Sequence, residues 1–255
     1  MPTWDDTQYL KFADERTRPA RELLSRIPLD NPPYIVDLGC GPGNSTALLK
    51  SRWPTARAIG VDNSQEMLQR ARGDWPAIEW VEADALNFEP DGRVDLIFAN
   101  ALLHWLPDHG SLIPTLLEFL RPGGVLAVQM PYNFNEPSHR LMRELGTPWV
   151  GRFENVRPIS PVETPAFYYD LLAPSARQID IWQTRYEHVM PDVPSIVEWV
   201  KGTGIRPFLA LLSESEQALY LDQYSQALDV AYPKQIDGKR LFSFPRLFIV
   251  AGLKG

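Results

Sequence analysis

Tyr34-Ile35-Val36-Asp37-Leu38-Gly39-Cys40-Gly41-Pro42-Gly43-Asn44-Ser45 is the stretch on which the fold turns. A buried strand runs into Gly39, Gly41 and Gly43, and a helix begins at Asn44 or Ser45. Glycine permits positive φ and lets a ligand approach bare backbone. The helix start that follows presents free N–H groups. A dinucleotide site spaces its glycines Gly-x-Gly-x-x-Gly and sets a pyrophosphate on the helix end. Here the spacing is Gly-x-Gly-x-Gly, Pro42 stiffens the loop, and Asp37 stands two positions before the first glycine. A carboxylate there repels a pyrophosphate and attracts a cationic ligand.

Two further acids lie at strand ends. Asp62 closes Gly60-Val61-Asp62-Asn63-Ser64, 21 residues after Gly41, the spacing of a carboxylate that takes ribose hydroxyls. It also reads as an N-cap for a helix starting near Ser64. Asp84, in Glu82-Ala83-Asp84-Ala85, can accept from an adenine amino group or act as a turn aspartate. Around these acids, apolar runs alternate with amphipathic ones, the pattern of β-α units on a parallel sheet. Strands are predicted at 34–38, 58–62, 78–83, 94–99, 125–130, 177–189 and 246–253. Helices are predicted at 7–27 with a break near Pro19, then at 45–52, 64–72, 112–120, 193–201 and 214–232. The proline-rich span 132–174 reads as an insertion of short helices and loops.

Val36-Asp37-Leu38-Gly39-Cys40-Gly41-Pro42-Gly43, Gly60-Val61-Asp62, Glu82-Ala83-Asp84-Ala85 and Leu120-Arg121-Pro122-Gly123-Gly124-Val125 together resemble the ordered motifs of class I S-adenosylmethionine-dependent methyltransferases. The resemblance spans Tyr34 to about Met130. It implies an α/β fold: a doubly wound, mostly parallel seven-stranded sheet of Rossmann-like type, ending in an antiparallel hairpin strand. One domain over 1–255 is expected, with 132–176 and 193–232 as a helical cap at the sheet's carboxyl edge. It implies S-adenosyl-L-methionine as cofactor, with Gly39, Gly41 and Gly43 near its methionyl part beside Asp37. Asp62 and Asn63 then take the ribose, Asp84 and Ala85 the adenine, and Asn100 lies below the reacting centre. Met67 is either a cover for the adenine face or a core methionine.

Composition bounds the acceptor. The 255 residues carry a net charge of −7, which opposes non-specific nucleic-acid binding. No apolar run reaches the roughly 20 residues of a membrane span. The polar, acidic start shows no secretory signal, and a single cysteine forms no internal disulfide, so a cytoplasmic protein is expected. The four histidines and Cys40 show no metal-ligand spacing. Against the acidic balance, the N-terminal segment 9–21 and the insertion hold basic groups. In the insertion these are His139, Arg140, Arg143, Arg152 and Arg157, interleaved with aromatics such as Tyr168. Arginine's planar fork binds carboxylates bidentately, so Arg18, Arg143, Arg152 and Tyr168 are candidates for holding an acceptor acid. The same arginines also read as surface residues paired with nearby glutamates. His104, in Leu102-Leu103-His104-Trp105-Leu106, reads as a general base or as a satisfied histidine near the cofactor.

The chain as a whole, including Phe12-Ala13-Asp14-Glu15-Arg16-Thr17-Arg18-Pro19-Ala20 and Gln129-Met130-Pro131-Tyr132-Asn133, is similar to members of that class that methylate one carboxylate of an unsaturated tricarboxylic acid. A phenol or amine acceptor and a non-catalytic cofactor-binding module are the alternatives. A nicotinamide oxidoreductase is opposed by Asp37 and by the glycine spacing.

Overall fold

The computed structural model describes residues 13–145, 149–153, 156, 162–202 and 204–255. The first elements are α1 (Ala13–Ser25), β1 (Tyr34–Leu38), α2 (Asn44–Arg52), β2 (Arg57–Asp62), α3 (Gln65–Asp74), β3 (Glu79–Glu82) and β4 (Val94–Asn100). A 3-10 turn, Leu103–Trp105, leads to α4 (His109–Phe119) and β5 (Leu120–Pro131). Then come α5 (Pro137–Glu144), α6 (Val150–Phe153), α7 (Pro165–Leu172), β6 (Ala176–Met190), α8 (Val193–Lys201), α9 (Arg206–Leu209), α10 (Glu214–Ala231) and β7 (Arg240–Leu253).

The seven strands lie in the order β3-β2-β1-β4-β5-β7-β6. Pairings from β3 across to β5 are parallel, and β7 runs antiparallel to β5. Central strands of a parallel sheet are covered on both faces and therefore read as continuous apolar runs. Accordingly, Val94 through Ala99 of β4 are all buried, Asp95 among them. The order reverses between β1 and β4, the switch point at which open α/β sheets bind ligands beyond the strands' carboxyl ends.

The chain divides into two compact units. One comprises 16–131, 162–184 and 246–255, and holds β1 to β5 with α2, α3, α4 and α7. Among the described residues, the other comprises 13–15, 132–145, 149–153, 156, 185–202 and 204–245. Its core packs Met142, Trp149, Phe153, Trp199, Tyr220 and Phe242. Within it α10 starts at a capping box, Ser213 with Glu216, which satisfies two helix-end donors reciprocally. β6 and β7 each supply residues to both units.

Several sequence boundaries shift. α1 runs unbroken through Pro19, because Pro19, Ala20 and Leu23 form a buried face that outweighs one lost amide bond. The expected start of this helix, at 7–12, lies outside the described residues. α4 begins at His109, since the Asp108 side chain accepts from the Ser111 amide and caps it there. β7 begins six residues before Arg246, where Phe242 and Phe244 are buried. The insertion is divided at residues 161 and 162, and α7 belongs to the unit with the parallel strands. No helix among the described residues is long and apolar enough to cross a membrane.

Candidate active site

The glycine turn is built as its sequence requires. Gly39, Gly41 and Gly43 have φ of 73°, 55° and 90°, all in the left-handed region. The end of β2 holds the turn in place. Val61's carbonyl accepts from the Gly39 and Cys40 amides at 2.8 and 3.0 Å, and Asp62 Oδ2 accepts from the Gly41 amide at 2.8 Å. Asp62 Oδ1 accepts from the Ser64 amide at 2.9 Å. Ser64, not Asp62, is the N-cap of α3. Asp62 is thus tied to both the glycine turn and the α3 start.

Asp37 is fully buried. Its Oδ2 accepts from Ser45 Oγ at 2.7 Å and from Thr46 Oγ1 at 2.6 Å, two hydroxyls of the first turn of α2. Its Oδ1, also buried, has no partner among the described residues. Burial pushes this carboxyl up to about 6. The two hydroxyl bonds oppose that shift, and the charge of Asp62 adds to it. A buried carboxylate with one open oxygen fits a cationic ligand group, whose charge would offset the desolvation cost.

The neighbouring strand ends in the same style. Asn100, the last residue of β4, has a buried Oδ1 with no partner among the described residues. Ala101 follows at φ 56°, an uncommon conformation outside glycine, held by its amide to the Gln129 carbonyl at 2.8 Å. This reversal brings Leu102 over the glycine turn, where a Cβ on Gly39 would lie 2.7 Å from its side chain. A Cβ on Gly41, in contrast, would meet nothing within 4 Å. The open side of the loop, the unpaired Asp37 and Asn100 oxygens and the donor-rich α2 start fit the aminoacyl end of S-adenosylmethionine.

Other expected contacts are placed as follows. Asn63 is exposed, Met67 is buried on α3, and Ala85 is half-buried. Asp84 serves a turn, its Oδ1 accepting from the Leu86 amide at 2.8 Å. His104 is buried in the 3-10 turn with its ring 4.8 Å from that of Trp105. Cys40 is buried, which pushes its thiol well up and away from thiolate chemistry.

The expected acceptor residues are divided between the two units, Arg18 and Tyr168 in one and Arg143 and Arg152 in the other. Arg18 is exposed on α1. Tyr168 is fully buried, and its hydroxyl lies 2.6 Å from His109 Nδ1. His109 Nε2 donates to the Leu103 carbonyl at 2.8 Å. In the other unit, Arg143 donates to the His139 and Phe134 carbonyls at 3.0 and 2.8 Å and lies over the Phe134 ring. Arg152 pairs with the distant Glu216 at 2.9 Å, and Arg140 pairs with Glu144 at 3.5 Å, the second being the kind of surface pairing that sequence also allowed. His139 is half-buried, and desolvation, with the charge of Arg143 adding to it, pushes it down to about 4, so at neutral pH it adds no positive charge. Arg157 lies outside the described residues. The sequence reading missed Ser45, Thr46 and Leu102; only the position of the first two, in the first turn after the glycines, could have signalled a role.

Strand order 3-2-1-4-5-7-6 around a glycine turn at the switch point defines a class I S-adenosylmethionine-dependent methyltransferase, and residues 35–124 match the methyltransferase domain family. The fold is shared with the YcgJ protein from Bacillus subtilis (TM-score 0.60, 15% identity, covering 93% of this chain and 99% of that one). Phosphoethanolamine N-methyltransferase 2 of Haemonchus contortus also shares it (TM-score 0.54, 16% identity, covering 92% and 52%). Sequence similarity is far closer to the trans-aconitate 2-methyltransferase of Azoarcus sp. strain BH72, at 62% identity over 98% of this chain and 99% of that protein. The trans-aconitate 2-methyltransferase of Escherichia coli strain K12 is 51% identical over 98% of each chain. The chain belongs to the trans-aconitate 2-methyltransferase family.

Proposed function

We propose that the protein transfers a methyl group from S-adenosylmethionine to one carboxylate of trans-aconitate, giving a monomethyl ester. The observation that carries this reading is 62% identity over 98% of the chain to a protein named for that reaction, on a chain whose cofactor turn is intact. S-adenosylmethionine, when bound, supplies an electrophilic methyl carbon, to which a carboxylate oxygen bonds as the carbon–sulfur bond breaks and its electron pair leaves with sulfur. Asp37 and the α2 start would hold the aminoacyl end. Asp62 with Asn63 would take the ribose, Asp84 and Ala85 the adenine, and Met67 would pack beside it.

No residue needs to remove a proton from the acceptor, since a carboxyl of ordinary pKa near 4 is already ionised at neutral pH. The chain's contribution is therefore orientation and exclusion of water. The contacts of Arg143, Arg152 and Tyr168 favour structural roles for these three, and Arg18 is assigned to the acceptor by its place in the basic N-terminal segment alone. The acceptor is a small molecule, and the cytoplasm is the compartment we assign. The test is methyl transfer to trans-aconitate with identification of the product. A methyl ester is expected; turnover of a phenol or amine with none of trans-aconitate would overturn the reading.

A further inference from the structure

Strand registers place four polar side chains on one face of the sheet. Asp37 pairs with Phe98, two residues before Asn100; Asn100 pairs with Gln129; and Gln129 pairs with Phe248, two residues from Arg246. Paired residues, and residues two apart on a strand, share a face. Asp37, Asn100, Gln129 and Arg246 therefore form one row across β1, β4, β5 and β7. Three interstrand steps make it roughly 14 Å long. Asp37 and Gln129 are fully buried, and Arg246 is 6% exposed.

The polarity of the row changes along its length. Asp37 Oδ1 and Asn100 Oδ1 are buried acceptors without a partner among the described residues. At the other end Arg246 Nη1 donates to Gln129 Oε1 at 3.3 Å. A guanidinium only donates, so the Gln129 amide must point its oxygen at Arg246 and its NH₂ away. That Nε2 is buried and has no partner among the described residues. Leaving such a donor unmatched costs it the hydration it gave up on burial. Trp182 stacks on Phe248 at 4.8 Å and lines the same face with apolar surface. Acceptors at the β1–β4 end suit a cationic cofactor; donors and a buried positive charge at the β5–β7 end suit an anion.

We propose that Gln129 and Arg246 form the subsite for a carboxylate of the acceptor, Gln129 Nε2 donating to it and Arg246 supplying charge. The assignment rests on the reading of the protein as a methyltransferase of a small polycarboxylate and adds the residues that recognise the acid. Neither residue stands out in sequence, since Gln129 interrupts an apolar strand and Arg246 opens another.

The decisive variant is Gln129→Glu. Its carboxylate keeps the shape and accepts from Arg246, so the fold survives, but it presents negative charge where a donor stood. Expected are an unchanged or higher Tm and S-adenosylmethionine affinity within twofold of wild type. For trans-aconitate, kcat/KM should fall by about 100-fold, mostly through KM. Arg246→Lys should retain part of the activity that Arg246→Gln loses, because an ammonium keeps the charge without the fork. Folded Gln129→Glu with wild-type KM for trans-aconitate would overturn the subsite, as would an equal loss of cofactor affinity. Calorimetric binding of trans-aconitate, with S-adenosylhomocysteine present, separates the two claims. Binding lost in the variants without any wild-type turnover sinks the reaction assigned above and keeps the subsite. Wild-type turnover with unchanged variant KM sinks the subsite alone, and absence of binding to wild type sinks both.

Discussion

Asp37 couples the folded state to the cofactor through one proton. Its carboxyl, pushed up to about 6 from an ordinary 3.8, keeps its proton in the folded protein where the unfolded chain has lost it. Stability therefore falls as pH rises from about 4 to about 6, by about 3 kcal/mol at 1.36 kcal/mol per pH unit. A cationic ligand binds the ionised form, so cofactor affinity should move the other way. Titrations at pH 7 and pH 5 should show roughly tenfold weaker S-adenosylmethionine binding at the lower pH, and Asp37→Asn should flatten that difference. An affinity that is flat between pH 5 and 7 in the wild type would remove Asp37 from the ligand contacts. Asp62 offers a second test. Asp62→Ala removes the acceptor of the Gly41 and Ser64 amides together with the proposed ribose contact. Cofactor binding should weaken by about 1.5–3 kcal/mol. Unchanged affinity in the folded variant, measured by calorimetry, would assign Asp62 to the turn alone.

At the scale of elements, the glycine turn and its flanking strands separate steric from conformational demands. A Cβ on Gly60, in β2, would sit 2.3 Å from the ring of Trp80 in β3. Gly60→Ala should destabilise the fold by about 1–3 kcal/mol through overpacking. Adding Trp80→Leu should give a double variant more stable than the sum of the two losses, by about 0.5–3 kcal/mol of coupling. Strict additivity in thermal unfolding would mean that the two do not meet. Gly41 differs, with φ of 55° and open space beside it. Gly41→Val should cost about 1–2 kcal/mol in backbone strain, leave the protein folded and abolish cofactor binding. Normal binding by a folded variant would show that the ligand approaches elsewhere. The existence of all seven strands was legible from sequence because period and punctuation are local signals. The 3-10 turn at Leu103–Trp105, α9 and the early start of β7 were not, since none carries local punctuation; Phe208 of α9 and Phe242 and Phe244 of β7 instead share one buried cluster. The site divides the same way. Asp37 and the glycines sit in one contiguous motif, whereas the engagement of Tyr168 by His109 joins residues 59 apart in sequence.

For the whole molecule, the most consequential feature is that β7, the last strand of the sequence, lies between β5 and β6. Removing residues 240–255 should therefore separate β6 from the sheet and expose the long edge of β5, whose residues 125 to 130 are buried. The truncated chain should aggregate or lose cooperative unfolding, and a soluble truncation with an undiminished Tm would contradict the strand order. Unpaired strand edges in incomplete chains are templates for wrong pairing. On a ribosome, β1 to β5 emerge and can begin to associate while β6 has no neighbour and the slot beside β5 stands open. Closure waits for β7 to clear the exit tunnel. Synthesis itself thus sets a vulnerable interval, and the row of Asp37, Asn100, Gln129 and Arg246 is incomplete until that interval ends.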